Sequence, residues 1–229
     1  MSTDMVNVQC LDNYYALLLR YAAGNISEAE SMSVSAHLTL NPVARSIVAD
    51  MEEIGAGIIG QYAEPAEINQ SVLTTLLDKI DAGQNKDNNQ IHKDPEPDAS
   101  NSEISFLPYP VRYYFETTGK KIAWKNVLKG IDKCPVPVSK KGIAELLKIE
   151  PGKDIPSHTH RGEEITLVLE GAFEDETGYY GRGDLIVLDE RINHKPVSDA
   201  KKGCICLNVS ASHIHLTGKW SRFLNFFLK

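Results

Sequence analysis

Two histidines one residue apart begin a run of ionisable side chains in PSHTHRGEEITLVLEG, residues 156–171. Alternate residues of a strand project to the same side, so His158 and His160 direct two imidazoles at one point. Glu164 begins an apolar run, where a bound cation would remove the cost of burying its carboxylate. His194, in RINHKP after the apolar run GDLIVL, is a fourth candidate ligand. Together these ligand types predict a site for one divalent transition metal.

The identity of the metal is left open by this ligand set, because Zn²⁺, Fe²⁺, Mn²⁺, Ni²⁺ and Cu²⁺ all accept imidazole and carboxylate. Zinc is the expectation for the protein as purified. A six-coordinate ion would keep two open positions, as oxygen-activating iron enzymes require, whereas four ligands around a tetrahedral zinc would close the site. A sensor, an enzyme and a structural site therefore all remain possible from the residues.

An enzymatic role would need a general base and groups that bind a substrate, and only residues close to the ligands in sequence suggest themselves for these roles. A dioxygenase acting on a small dicarbonyl-type compound is the alternative function considered. No dedicated general base or substrate clamp is recognisable, and no catalytic residue is assigned. The candidates are Arg161, Glu163, Tyr113 and Tyr180.

Two further pairs of potential ligands have simpler interpretations. His213 and His215 repeat the same spacing, but they are expected to lie on an exposed strand. Cys204 and Cys206 stand among apolar residues in GCICLNVS, so burial is expected, with thiol sensing as the alternative. A disulfide between them would be strained, because side chains two apart on one strand are too far separated.

The charge of the chain is distributed unevenly. Residues 1–82 carry three Lys or Arg against eleven Asp or Glu, a net charge of −8, whereas residues 104–229 carry nineteen against fifteen, a net charge of +4. Direct nucleic-acid binding by the acidic part is disfavoured, because phosphate contacts need cations. A basic protein partner would suit it. Neither a secretion leader nor an apolar stretch of membrane-spanning length is recognisable, so a cytoplasmic protein is expected.

The hydrophobic periodicity divides the chain into two domains. Residues 1–82 have helical spacing, with helices expected near 11–24, 27–40, 42–57 and 71–80. The polar residues 83–103, rich in Asn, Asp, Pro and Ser, predict a flexible linker. Residues 104–229 contain short runs rich in Ile, Val and Leu between turn residues, which favours an all-β barrel or sandwich. The fold class is therefore α + β, with a small all-α bundle before an all-β domain.

The spacing around the histidines resembles the first motif of the cupin family. Gly152, His158-x-His160, Glu164 and Gly171 fit every fixed position of that motif. In the second motif Gly183 and His194 fit, while Asp189, Arg191 and Ser198 replace the usual proline, glycine and asparagine. The resemblance implies a jelly-roll barrel that holds its metal inside. Because cupins often pair through their sheets, it also suggests a homodimer.

The segment HLTLNPVAR, residues 37–45, resembles the zinc-binding signature of anti-sigma domains. His37, Pro42 and Arg45 are kept, but Asn41 and Ala44 occupy the two cysteine positions, and Asp12 stands where the family has a further histidine. No zinc is therefore expected in the helical domain. Asn41 is expected to cap a helix instead, for about 1 kcal/mol. His37 is expected to be a core or helix-surface residue.

A helical anti-sigma-like domain followed by a cupin resembles the ChrR family of anti-sigma factors. The segments AAGNISEAE, HLTLNPVAR, the first cupin motif and CICL follow one another in the order of that family. The resemblance implies that the helical domain binds a sigma factor of the extracytoplasmic-function type and blocks its use by RNA polymerase. It also implies that the metal-binding cupin acts in stress sensing and release.

Overall fold

The computed structural model describes residues 3–64, 69–84, 104–138, 143–210 and 215–216 of the chain. Four helices come first, a fifth precedes the β part, and the predicted α + β class is confirmed by the structure. The helices are α1 (Thr3–Ala22), α2 (Glu28–Leu40), α3 (Pro42–Tyr62), α4 (Gln70–Gln84) and α5 (Tyr109–Thr118). Most of the predicted linker lies outside the described residues, so the domain boundaries stay a prediction. His213 also lies outside them. No helix in the described ranges combines the length and apolar character needed to cross a membrane.

Side-chain caps define the junctions between the first helices. The Ser27 hydroxyl accepts from the backbone N–H of Glu30 at 3.3 Å, and the Glu30 carboxylate accepts from the Ser27 N–H at 2.9 Å. This is the reciprocal capping box that the sequence predicts for α2. Asn41 lies at the next junction, where its side-chain oxygen accepts from the N–H groups of Val43 and Ala44, both at 3.1 Å. The expected cap of α3 is thereby confirmed.

The β part consists of short antiparallel strands around one long strand. The strands are β1 (Lys125–Leu128), β2 (Ile131–Pro135), β3 (Ile143–Ile149), β4 (His158–Thr159), β5 (Glu164–Asp175), β6 (Gly178–Gly181), β7 (Leu185–Leu188), β8 (Val197–Ser198), β9 (Cys204–Ser210) and β10 (His215–Leu216). The main sheet runs β1-β2-β3-β9-β5-β6, while β10 pairs with β4. Because β5 also pairs with β7 and β8, this strand is the centre of the eight-stranded sheet.

A tight backbone contact accompanies the register shift in β5. The register between β5 and β9 shifts between Val168 and Glu170, and a left-handed residue, Gly171 with φ +71°, follows. A Cβ on Gly171 would lie 2.1 Å from the backbone oxygen of Gly203. The glycine that closes the first motif is therefore required by this close approach of two strands.

Helix α5 is the element that the sequence analysis missed, because residues 104–229 were expected to form only strands. Its sequence, YPVRYYFETT, is rich in aromatic residues that usually favour strands. Val111 and Phe115 stand four apart and are both buried, which is the spacing of a helix face. Gly119, with φ +65°, ends the helix.

The helices and the barrel share one hydrophobic core. Leu17 and Leu18 of α1 are completely buried in the same cluster as Leu146, Leu167 and Leu207 of the sheet. Helix α1 packs against β7, and α2 contacts β5 and β9. The first two helices are therefore docked onto the barrel rather than suspended from a linker.

Candidate metal centre

The structure brings together the four side chains that the sequence analysis proposed as ligands. His158 lies on β4, His160 follows it, and Glu164 is the first residue of β5. His194 lies between β7 and β8, and its backbone exchanges two hydrogen bonds of 3.1 Å with that of His158. One candidate ligand atom from each side chain lies within 4.8 Å of the other three, and all four residues are buried. This cluster could hold one metal ion.

Hydrogen bonds at the outer nitrogens orient two of the imidazoles. His158 Nδ1 lies 2.9 Å from the Pro156 carbonyl oxygen, and His194 Nδ1 lies 2.8 Å from a carboxylate oxygen of Asp175. Both Nδ1 atoms face acceptors and therefore carry the protons in the neutral rings, which leaves lone pairs on Nε2. Those two Nε2 atoms lie only 3.1 Å apart, and His194 Nε2 is 3.3 Å from His160 Nε2. Converging lone pairs repel each other, and a cation among them would turn the repulsion into ligation, so the residues fit a metal ion.

The carboxylate of Glu164 is fixed between two partners. Its Oε1 accepts from the side-chain amide of Asn208 on β9, and its Oε2 contacts His160 Nε2. Burial raises the pKa of Glu164, but the hydrogen bond with His160 and the nearby imidazoles outweigh it and lower the pKa to about 2. The carboxylate is therefore held ionised, as a metal ligand requires.

Burial lowers the pKa of His158 instead of raising it. Desolvation, assisted by the charge of His194, lowers the pKa of His158 to about 4. Burial raises the pKa of Asp175, but its hydrogen bonds with His194 and Thr177 outweigh burial and keep this pKa below the usual range. Neutral imidazole nitrogens are the form that binds metals, so the site favours the ligating state at neutral pH.

Asp175 and Asn208 were missed by the sequence analysis although they hold two of the candidate ligands. Asn208 left a signal, because it is the one amide in the otherwise apolar strand CICLNVS. Asp175 is the last residue of β5 and begins the turn in EDETG, where an acidic residue is ordinary. Its role depends on a contact with His194, nineteen residues away, that only the fold creates.

The side chains considered for catalysis lie elsewhere. Glu163 pairs with Arg20 of α1 at 2.5 Å, and the Tyr180 hydroxyl lies 2.7 Å from the Thr177 hydroxyl. Tyr113 is 48% exposed on α5, and Arg161 is exposed. These positions do not assign any of the four to a reaction.

The cysteine pair is buried as expected. Cys204 and Cys206 are free thiols on β9, with 2% and 3% of their surface exposed. A hydrogen bond with Cys204 and burial raise the pKa of the Cys206 thiol well above its ordinary value. A protonated, buried thiol is a poor nucleophile, which favours a packing role.

The remnant of the anti-sigma zinc signature serves other purposes. His37 is buried with 1% exposed, its Nδ1 lies 2.8 Å from the Gly183 carbonyl oxygen, and its Nε2 is 2.9 Å from the Tyr14 hydroxyl. Asn41 caps α3, Ala44 offers no ligand atom and Asp12 is exposed. These side chains do not fit a zinc site, and the expectation of a zinc-free helical domain stays a prediction.

Comparisons with known proteins show similarity in both the cupin domain and the helices that precede it. The family model for the ChrR cupin-like domain matches residues 115–214. A curated relative, the anti-sigma-E factor ChrR of Cereibacter sphaeroides, is 33% identical over 192 residues, which cover 84% of this chain and 85% of the relative. The crystal structure of Rhodobacter sphaeroides SigE in complex with the anti-sigma ChrR is similar with a TM-score of 0.66 and 30% identity, covering 85% of this chain and 95% of that one.

The small antiparallel barrel has three histidines and a glutamate that face inward. Helices α1 to α4, called the helical front below, precede it in the chain. This arrangement defines a two-part protein with a cupin domain. The similarity extends beyond the barrel, because the curated relative matches far more of the chain than the cupin alone. The chain belongs to the ChrR family.

Proposed function

We propose that this protein is an anti-sigma factor. Its helical front binds a sigma factor of the extracytoplasmic-function type in the cytoplasm and withholds it from RNA polymerase, and its cupin acts in stress sensing and release. The observation that carries the proposal is the similarity to the anti-sigma-E factor ChrR through both the helical front and the cupin. The same similarity favours a regulator over a metal-dependent dioxygenase.

Helices α3 and α4 expose many large apolar side chains. All described residues of α4 are exposed except Leu73, which is half-buried. Eight of these side chains are each more than half exposed, and exposed apolar side chains in such numbers are typical of protein interaction sites. They are Ile54, Ile58, Ile59, Tyr62, Val72, Leu76, Leu77 and Ile80.

Acidic residues accompany these apolar side chains. Asp50, Glu52 and Glu53 lie on α3, and Asp78 and Asp81 lie on α4, all of them exposed. An apolar surface with acidic neighbours suits a partner that combines apolar contacts with basic charge. DNA-binding surfaces of sigma factors are basic, and electrostatic complementarity would accelerate association with them.

The first test is capture of a sigma factor by the full-length protein. We expect an extracytoplasmic-function sigma factor of the same organism to co-purify at low salt. Screening of the opposite charges should weaken the complex several-fold in high salt. Absence of a complex with every such sigma factor at low salt would contradict the proposal.

A substitution in α4 locates the binding surface. Leu76→Asp introduces a charge into a side chain that is 51% exposed, so we expect sigma binding to weaken about tenfold or more while the melting temperature hardly changes. Val127→Asp is the matched control, because Val127 is 39% exposed on β1 of the barrel. Equal binding by Leu76→Asp and the control would remove α4 from the interface.

We also propose that His158, His160, Glu164 and His194 bind one divalent transition metal, with zinc expected in the protein as purified and iron, manganese or nickel compatible with the same ligands. When bound, the ion supplies a Lewis-acidic centre that can accept a further ligand if it is six-coordinate. Support comes from the converging Nε2 lone pairs and the ionised carboxylate in a buried cage.

Elemental analysis tests this site. We expect one equivalent of metal per chain, and much less in His158→Ala. His37→Asn should keep the full equivalent, because His37 lies outside the cluster. Two equivalents in the wild-type protein would contradict a zinc-free helical front. Oxygen uptake by the iron-loaded protein with a panel of diketones would revive the enzyme alternative.

A further inference from the structure

We infer that metal binding in the cupin is coupled through helix α1 to the docking of the helical front onto the barrel. This inference rests on the proposed metal site. The geometry points to it because the polar contacts of α1 with the barrel reach residues next to the candidate ligands or on the segments that lead to them. Three connections support the coupling.

The first connection joins α1 to the residue before a ligand. Arg20 near the end of α1 pairs with Glu163 at 2.5 Å and with Glu30 of α2 at 3.4 Å. Glu163 directly precedes Glu164, and neighbouring side chains of an extended backbone point to opposite sides. The carboxylate of Glu163 therefore points to the helix, while that of Glu164 faces the cluster. A shift of Glu164 on ligation would therefore move the partner of Arg20.

The second connection is a chain of hydrogen bonds from His194. Its Nδ1 bonds to one oxygen of Asp175 at 2.8 Å, and the other oxygen accepts from the Thr177 backbone N–H at 2.7 Å. The Thr177 hydroxyl lies 2.7 Å from the Tyr180 hydroxyl. Tyr180 and Cys10 of α1 pack against the same apolar cluster of the barrel. The chain thus runs from a candidate ligand to Tyr180, which shares an apolar cluster with α1.

The third connection lies near the end of β7. The Asn13 amide donates to the Asp189 carboxylate at 3.1 Å, and Asp189 stands just after β7, five residues before His194. On α2, His37 holds the Gly183 carbonyl oxygen in the turn before β7 at 2.8 Å. Both contacts attach the front helices to the strand that leads to the His194 segment.

A cleft beside the shared core gives these polar contacts additional weight. A cleft of about 460 Å³, open to solvent, lies between the front helices and the β6–β7 region, with Cys10, Tyr14 and His37 on one side and Thr177 and Tyr180 on the other. Where this cleft separates the helices from the barrel there are fewer dispersion contacts, so docking there depends more on the polar contacts around it. A bound ion would fix the positions of Glu164 and His194 and so order the surface on which α1 rests.

Hydrogen exchange measured on the full-length protein tests the coupling. Zinc-loaded and chelator-stripped samples are compared peptide by peptide, with elemental analysis of each sample. We expect amides in α1 to exchange at least fivefold more slowly with zinc, while those of the exposed α4 do not change. Protection confined to the barrel would overturn the coupling and leave the metal site standing. A wild-type protein that binds no zinc would overturn both proposals.

Paired substitutions separate the coupling from general stabilisation by a ligand. Arg20→Gln with Tyr180→Phe removes a charge and a hydroxyl from two of the connections but touches no candidate ligand. We expect this double variant to bind one equivalent of zinc while the response of α1 falls below twofold. Arg45→Gln with Tyr179→Phe changes exposed residues of the same types and should respond like the wild type. A full zinc response in Arg20→Gln/Tyr180→Phe would overturn the inference, because stabilisation without these contacts would then explain the protection.

Discussion

Asp175 orients His194, although it is not itself a candidate ligand. Its carboxylate accepts a hydrogen bond from His194 Nδ1–H on one oxygen and from the Thr177 N–H on the other. The first contact fixes both the ring orientation and the tautomer that leaves Nε2 free to bind an ion. Partners of this kind usually matter to metal affinity nearly as much as the ligands do.

Asp175→Asn should therefore weaken metal binding by about 10- to 100-fold, because a neutral amide stabilises the imidazole less than a carboxylate does. Competition with a chromogenic chelator measures the affinity. Asp184→Asn is a suitable control, since Asp184 is exposed and its carboxylate accepts from the Gly181 N–H. Asp175→Asn with wild-type affinity would show that orientation of His194 does not limit binding.

His37 makes the attachment of α2 to the barrel sensitive to pH. Burial lowers the pKa of His37, although the Gly183 carbonyl oxygen and the charge of Asp184 act in the opposite direction. The folded protein therefore favours the neutral ring, which donates to Gly183 through Nδ1 and accepts from the Tyr14 hydroxyl. The stabilisation is complete above the unfolded pKa of about 6.5 and declines as the pH falls below it.

His37→Asn tests this pH dependence, because asparagine keeps a donor near the Nδ1 position and cannot be protonated. Between pH 7.5 and 5.5 the wild type should lose up to about 1.4 kcal/mol more unfolding free energy than the variant. Urea titrations of both proteins, stripped of metal, provide the measurement. Equal losses in the two proteins would mean that His37 does not titrate differently in the folded state.

Among the elements, those with strong local patterns could be predicted from sequence. Helix α2 has a reciprocal cap between Ser27 and Glu30. The spacing from Gly152 to Gly171 predicts the three candidate ligands that lie on or next to β4 and β5. Helix α5 could not be predicted, because its aromatic residues favour strands until tertiary packing buries Val111 and Phe115. Asp175 and the docking of α1 also escaped prediction, since they depend on contacts between distant segments.

Gly171 illustrates how closely two elements approach each other. A methyl group there would meet the Gly203 backbone oxygen, and the left-handed conformation adds strain. Gly171→Ala should lower the unfolding free energy by about 2–4 kcal/mol. Gly57→Ala, in α3 where an added Cβ meets nothing, should instead raise it by about 0.5–1 kcal/mol. Urea unfolding of both variants is the measurement, and a loss below 0.5 kcal/mol for Gly171→Ala, on the order of an ordinary surface substitution, would contradict the steric argument.

In the molecule as a whole, the common core makes the helical front and the barrel depend on each other. Leu17, Leu18 and Met32 from the front lie in one buried cluster with Leu146 and Val209 from the barrel. A front of about 80 residues is marginal by itself, because small units bury a small fraction of their surface. Packing against the barrel supplies the area that it lacks.

Unfolding should therefore be a single transition for α1, α2 and the barrel. Far-ultraviolet circular dichroism follows the helices, and Trp124, packed against the common core, reports on the barrel in a Trp220→Phe background. Leu18→Ala should lower both midpoints together, at a cost of about 2–5 kcal/mol, whereas Leu19→Ala, at an exposed position, should change neither much. Separate transitions for the two signals would contradict the common core.

Asn41, in the place of a cysteine, limits the sites in the helical front at which oxidants or chelators could react. Where cysteines and zinc hold a domain together, oxidants and chelators can dismantle it directly. An amide that caps a helix offers them no target, and the thiol of Cys10, the one cysteine before residue 83, has its pKa raised to about 11 by burial and by the charges of Asp175 and Asp189. We therefore expect oxidants and chelators to act first at the candidate metal site of the barrel, and the front helices to respond through their contacts with it.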